Sequence, residues 1–277
     1  MQCKICNHTS EKKFEKILLQ RFKTGFYKCT NCSFMQTDEP IWLEEAYQSA
    51  ITSLDIGLLG RNIYLTAEIS LLIETCFPKA KIMIDYAGGY GVLARLMRDM
   101  GYDYYTQDDY CENIFAKNFD VSMTTFKKFD IVTGFEVLEH FSNPLQDLKK
   151  VFHYADDAIF STELLPENDA EIENWWYLTE ETGQHIAFYT PKAMEIIAQK
   201  FNKYYYCRNK NLHVFSSKKL DDAQIDFAFK NITKKKYLFG LIKQRITYTS
   251  DKKSLLASDY QYIKNILNSN NINEPRN

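Results

Sequence analysis

Four cysteines open the chain in two pairs, Cys3-x2-Cys6 and Cys29-x2-Cys32. Each pair can present two thiolates to one ion, and four thiolates complete the tetrahedral shell of a structural Zn2+. A closed shell keeps no position for a substrate, so the zinc expected here staples a segment too short to own a core. The 22 residues between the pairs slightly exceed the usual ribbon spacing, and a β-hairpin built from Phe14 to Leu19 and Gly25 to Lys28 fills them. A redox reading of the same pairs wants a preceding βαβ pattern, which these residues lack. His8 stands near enough in sequence to replace a ligand, but the shell is complete without it.

A second set of residues has the types and spacing to hold a nucleoside. Lys81 to Tyr86 reads as a short apolar strand with Asp85 near its end, Ala87-Gly88-Gly89-Tyr90-Gly91 follows, and Val92 to Met100 has helical periodicity. Glycines there let the backbone turn sharply and come close to a ligand, while the helix start offers unpaired N–H groups. Tyr102 to Gln107 reads as the next strand, and Asp108 at its end lies about 20 residues past the loop, where an acid holds ribose hydroxyls. The loop alone is ambiguous, because Gly89-x-Gly91-x-x-Ala94 also fits the dinucleotide fingerprint and hence an NAD(P)-dependent oxidoreductase.

The run from Phe129 to His140, FDIVTGFEVLEH, followed by Asn143-Pro144, separates these readings. Taken with the loop from Asp85 to Gly91 and with Asp108, it resembles the motifs of class I S-adenosylmethionine-dependent methyltransferases over roughly residues 80–217. That resemblance implies an α/β, Rossmann-like sheet of seven strands with a reversed last strand. It implies that Asp85, Ala87, Gly88, Gly89 and Gly91 line the cofactor, that Asp108 binds ribose, and that Phe135 and Glu136 lie beside the sulfonium. Members usually carry glycine where this chain has Ala87. A sulfonium is a cation, so carboxylates and aromatic faces beside it are favourable on physical grounds as well. Asp85 as a loop cap and Glu136 as a solvated helix-start residue remain alternatives.

Asp157 to Glu163 reads as the fifth strand, and its end faces the crevice where open α/β sheets bind ligands. A long insertion follows, with Trp175-Trp176-Tyr177 and then Gly183-Gln184-His185-Ile186-Ala187-Phe188-Tyr189, before Thr190-Pro191 caps a helix. So many aromatic residues must pack on something, and a substrate pocket is the nearest space. This segment and the cysteine knuckles resemble bacterial methyltransferases with an N-terminal zinc-binding domain, including enzymes that methylate nucleotide-linked sugars. Methyl transfer is an in-line displacement from a good leaving group, so alignment and one proton acceptor suffice. Histidine suits neutral pH. Of His8, His140, His153, His185 and His213, the sequence favours His185 as the base, its alternative being a structural histidine that fastens the loop to the sheet, with His140 as base or acceptor contact. Tyr177, Tyr189 and Glu163 are candidates to orient hydroxyls.

Four segments are expected: a zinc ribbon over 1–40, a helical connector or lid over 41–79, the S-adenosylmethionine-binding domain over 80–217, and a helical extension over 218–277. Ile41 to Phe77 reads as helix, with Tyr47 and Tyr64 either closing over a ligand or, more ordinarily, in the core. Phe201 to Arg208 and Leu212 to Ser217 read as a hairpin turning at Asn209-Lys210-Asn211. Beyond Lys218 the pattern is helical and basic, including Lys234-Lys235-Lys236, and SNNINEPRN at the end looks frayed. No run approaches the roughly 18 apolar residues of a membrane span, no secretory pattern opens the chain, and the expected compartment is the cytoplasm. With a formal net charge of −2 the chain has no global attraction for phosphate backbones. A small-molecule acceptor is therefore expected, and the resemblance to the zinc-binding bacterial methyltransferases puts a nucleotide-linked or phosphorylated sugar of surface polysaccharide synthesis first. A nucleic-acid methyltransferase or zinc-ribbon nucleic-acid-binding protein is the alternative, along with the oxidoreductase.

Overall fold

A computed structural model describes residues 1–208, 211–232, 236–238, 241–243 and 252–270. The elements in chain order are β1 (Ser10–Leu18), β2 (Phe22–Cys29), β3 (Met35–Thr37), α1 (Leu43–Ala46), α2 (Leu58–Cys76), β4 (Ile82–Tyr86), α3 (Val92–Asp99), β5 (Asp103–Gln107) and β6 (Ile131–Phe135). They continue with α4 (Pro144–Tyr154), β7 (Asp157–Ser161), α5 (Asp169–Ile172), β8 (Ala187–Phe188), α6 (Pro191–Lys200), β9 (Tyr204–Cys207) and β10 (Leu212–Ser216). The last are α7 (Asp222–Ile232), β11 (Lys236–Leu238), β12 (Leu241–Lys243) and α8 (Leu256–Asn270).

The central sheet runs β5-β4-β6-β7-β10-β9. Its first four strands are parallel, and β10 runs antiparallel to both β7 and β9. Apolar residues fill both faces, as parallel sheets require. Val132, Ala158, Phe160 and Phe215 pack toward α4 and α6, while Met83, Ile131, Ile159 and Val214 pack toward α2, α3 and α7. Six strands stand where seven were expected. The missing edge strand is a single parallel bridge, Thr106 to Asp120. Asn118 at φ +71° before it and the 3-10 turn Val121–Met123 after it leave too short an extended run for a ladder.

The hairpin β1–β2 forms as expected, with Leu18 opposite Phe22 and a bulge between Lys12 and Phe14. Its sheet continues through β3 to β8, a strand from the distant insertion, so Met35 pairs with Phe188 and Gln36 with Ala187. The ribbon is therefore not a separate appendage. Cys3, Ile5, Cys32 and Phe34 belong to the same buried cluster as the α4 and α6 face, and Phe34 packs on Tyr189 with ring centroids 5.1 Å apart.

The connector holds two helices: α1 has four residues, α2 has 19, and 47–57 between them are irregular. Gly57 and the turns at Thr52 and Asp55 break the pattern. The segment past 218 is not wholly helical either, since β11 pairs with β12. It docks on the domain: Ile225 and Ala228 of α7 are fully buried with α2, and Asp259 of α8 binds Arg98 at 2.9 Å. The turn at 209–210, Lys234-Lys235 and residues 271–277 lie outside the described residues.

Candidate active site

The C-terminal ends of β4, β5 and β6 open into a cavity of about 900 Å3, at the upper end of the ~300–1,000 Å3 usual for small-molecule sites. Its floor is the loop after β4. Asp85 is buried, accepts a hydrogen bond from Thr133 Oγ1 at 2.8 Å, and has its carboxyl pushed up to about 7 by burial, then by the nearby Asp108. Ala87 sits at φ +54°, in the left-handed region that explains why glycine is usual there. Gly88 tolerates no side chain, because a Cβ would stand 2.3 Å from Thr106 Oγ1 and 2.7 Å from Asp85 Oδ2. Asp108 accepts from the Gly89 N–H at 2.8 Å and from the N–H groups of Tyr110 and Cys111 at 2.7 and 2.8 Å. Asp85, Ala87, Gly88, Gly89, Asp108, Phe135 and Glu136 all line the cavity. Gly91 is not among the lining residues: it caps α3 at φ +79°, with Asn113 Oδ1 where a Cβ would go.

The opposite wall comes from β6 and the insertion. Glu136 holds φ +50°, a backbone state of the kind that collects at functional sites. Its carboxylate accepts from Ser161 Oγ at 2.6 Å and Tyr177 Oη at 3.0 Å, so it is a held group and not a solvated one. His140 and His185 both line the cavity, with rings edge-on and centroids 5.0 Å apart. His185 Nδ1 faces Tyr177 O at 2.7 Å and His140 Nδ1 faces Gln184 O at 3.1 Å. A carbonyl only accepts, so each Nδ1 carries the proton and each Nε2 keeps its lone pair. Burial lowers His185, and burial with the neighbouring His185 lowers His140 to about 3, so burial disfavours charge on both rings.

The other histidines are placed elsewhere. His153 is exposed on α4, His8 is exposed beside Cys6, and His213 is buried between Tyr205 Oη and Thr162 O. Tyr47 lines the cavity, stacked on Tyr110 at 4.9 Å, whereas Tyr64 faces Glu68 within α2. Tyr189 is a core residue whose hydroxyl donates to Leu138 O at 2.8 Å, and Glu163 does not line the cavity. Two contributors lacked an assigned role in the sequence reading. Gln184 Nε2 donates to Ala46 O at 2.9 Å and Ser49 O at 3.0 Å, tying the irregular connector over the cavity. Glu139, fully buried behind the two histidines, lay inside the FDIVTGFEVLEH run, where its spacing of three from Glu136 was the available signal.

The four cysteines converge. Cys3 and Cys32 sulfurs are 3.6 Å apart, Cys6 and Cys29 3.4 Å, and all four lie within 4.8 Å of one another. Thiolates about 2.3 Å from a tetrahedral zinc stand about 3.8 Å apart, so the set accepts the ion with slight expansion. The backbone N–H groups of Ile5 and Asn31 point at the Cys3 and Cys29 sulfurs at 3.4 Å, as in a knuckle that stabilises thiolate charge. The geometry is compatible with zinc.

A doubly wound sheet with an antiparallel edge, a glycine loop after its first parallel strand and an acid ending the next defines a nucleoside-binding α/β enzyme. Residues 61–221, more than half of the chain, match the family described as a methyltransferase domain. The chain belongs to that family and is an S-adenosylmethionine-dependent methyltransferase, which displaces the oxidoreductase reading. Among solved structures it is similar to magnesium protoporphyrin IX methyltransferase from Synechocystis PCC 6803, bound to S-adenosylhomocysteine. That pair is 12% identical over 62% of this chain and 90% of the other, at TM-score 0.41. The plantazolicin methyltransferase BpumL is 10% identical over 64% and 94% of the two chains, at TM-score 0.44. A possible histamine N-methyltransferase from Thermotoga maritima is 11% identical over 65% and 98%, at TM-score 0.42. No curated protein matches the sequence. Among the described residues no helix is long and apolar enough to cross a membrane.

Proposed function

We propose that this protein transfers the methyl group of S-adenosylmethionine to a hydroxyl of a small molecule, with the acceptor bound against His140 and His185. The observation that carries the reading is one continuous cavity with the glycine loop and Asp108 at one end and two Nε2 lone pairs at the other. Asp85, Ala87, Gly88 and Gly89 would hold the methionine part, Asp108 the ribose, and Phe135 with Glu136 the sulfonium end. Gly91 would contribute through the start of α3. The volume suits two small ligands.

The carboxylates lining this space include Asp55, Asp85, Asp108, Asp109, Glu136 and Asp147, against Arg61 and Lys150 as the cations. Arg61 is already engaged by Asp55 at 3.0 Å. Such a wall favours a sulfonium and gives a phosphate chain or nucleic acid little to bind. Within the expected sugar class we therefore favour an acceptor whose reactive end is uncharged, any phosphate lying outside the cavity. Surface polysaccharide synthesis enters this proposal through the sequence resemblance, and a cytoplasmic site of action through the sequence pattern.

Calorimetry with S-adenosylmethionine, S-adenosylhomocysteine and NADH tests the cofactor: the adenosyl ligands bind and Asp108→Ala weakens them. Binding of NADH alone defeats the reading. His185→Ala should lower turnover at least ~100-fold, the usual range for losing a general base, with affinity for S-adenosylhomocysteine near wild type. Unchanged turnover removes His185 from the reaction.

A further inference from the structure

We propose that Glu139, His140 and His185 bind a divalent cation in the acceptor half of the cavity, leaving coordination positions open to the acceptor's hydroxyl oxygen. The binding stands on geometry alone, while its part in the reaction rests on the methyl-transfer reading above.

The three side chains converge on one point. His140 Nε2 and His185 Nε2 each lie 4.0 Å from Glu139 Oε1. One ligand atom from each residue lies within 4.8 Å of the other two. Both histidines are oriented by their Nδ1–H bonds to backbone carbonyls, the arrangement that fixes tautomer and ring direction in metal-bound histidine. Their Nε2 atoms therefore bring lone pairs and no proton.

Glu139 is 0% exposed, and neither carboxylate oxygen has a hydrogen-bond partner. Buried carboxylates are ordinarily paired or bound to metal. The hydroxyls of Tyr177 and Thr162 approach this one, but Tyr177 donates to Glu136 Oε2 at 3.0 Å, and Thr162 shares a 3.3 Å contact with Tyr177. The Glu139 carboxyl and the two ring nitrogens thus face each other at 4.0 Å with no hydrogen bond from either imidazole to the carboxyl. A proton shared by a carboxylate and an imidazole would draw them to about 2.7–2.9 Å. A gap of 4.0 Å instead suits an ion about 2.1 Å from each, after a modest closing of the side chains.

Two imidazoles and a carboxylate suit Zn2+, Mn2+, Fe2+ or Co2+, and three protein ligands leave the shell open, unlike the four cysteines. A hydroxyl on the cation is acidified as metal-bound water is. It releases its proton to water in the cavity, and its oxygen forms the new O–C bond. The C–S bond breaks with its electron pair going to sulfur, so the sulfonium leaves as a neutral thioether. In the cation-loaded protein the ion takes over the part given to His185 as a direct base, and His185→Ala still lowers turnover because the ion is lost.

The test is titration with MnCl2 of protein holding one zinc per chain, following the electron paramagnetic resonance signal of free Mn2+, an ion that four thiolates disfavour. One Mn2+ per chain is expected, bound at least tenfold more weakly by Glu139→Gln and by His185→Ala, with ribbon zinc unchanged. Circular dichroism establishes that each variant folds, and if one does not, the other decides. Zinc content after dialysis against excess Zn2+ gives a second measure: two ions per chain in the wild type and one in a folded variant support the site. One zinc per chain with no saturable Mn2+ binding overturns it, as does equal Mn2+ binding in wild type and folded variants. Calorimetry with S-adenosylhomocysteine separates the two proposals. If that ligand binds and Mn2+ does not, only the cation site falls. If Mn2+ is held and S-adenosylhomocysteine is not, the site stands and the methyl-transfer reading fails.

Discussion

Glu68 shows how one misplaced charge can govern stability. It lies on α2 with 3% of its surface exposed, one carboxylate oxygen is unpaired, and burial raises its carboxyl from 4.5 to about 7. The unfolded chain loses this proton near pH 4.5 and the native protein near 7, so between them the native state holds the extra proton. Stability therefore falls as pH rises through that window and levels off above it. Glu68→Gln removes the charge and keeps the shape. Urea melts should show the variant more stable than wild type at pH 8, by on the order of 2–3 kcal/mol, and close to it at pH 4.5. An equal fall in both proteins between these values assigns the slope to other groups. The residues of the cofactor end were legible because their signal is local: a strand, glycines and an acid at fixed spacing. Glu139 lay in the FDIVTGFEVLEH run with only its spacing from Glu136 as a local signal, and its place in the site depends on His185, 46 positions later, reaching the same point.

Among the elements, the parallel strands and their helices were legible from periodicity, and Thr190 caps α6 through the Ala193 N–H at 3.2 Å as its sequence implied. The irregular stretch at 47–57 and the reduced edge strand were not, because both follow from turns that tertiary contacts select. The basic, polar stretch past 218 also hid its anchor. Arg98 on α3 binds Asp259 of α8 through two nitrogens at 2.9 Å, both residues nearly buried, with Phe119 under the guanidinium at 3.6 Å. Removing one partner strands the other charge in a poor solvent for it. Asp259→Ala should lose about 3 kcal/mol in chemical denaturation, somewhat offset by the remaining contact of Arg98 to Asp103 at 2.6 Å. A loss under about 0.5 kcal/mol means that α8 is held by its apolar contacts instead.

At the scale of the whole molecule, the division at residue 40 proves to be one of sequence and not of packing. The ribbon shares a core with α4 and α6 and takes β8 as its edge strand, directly after His185. Thr190 Oγ1 also donates to Cys32 O at 2.6 Å. Zinc bound there would steady the histidine wall of the cavity while leaving the glycine loop alone. Cys6→Ser, which touches neither Glu139 nor the histidines, should therefore lower turnover at least about tenfold with S-adenosylhomocysteine affinity within about threefold of wild type. Equal loss of both means general unfolding. The same strand pairing sets a timetable for making the protein. Met35 waits for Phe188, roughly 150 residues later, and at a ribosome's ~5–20 residues per second that takes on the order of 10 s. Through that interval the four cysteines are already made, yet the edge of β3 stays unpaired and open to neighbouring nascent chains. Long-range closure of this kind is slow, and crowded synthesis in metal-poor cells should yield aggregates nucleated at this edge.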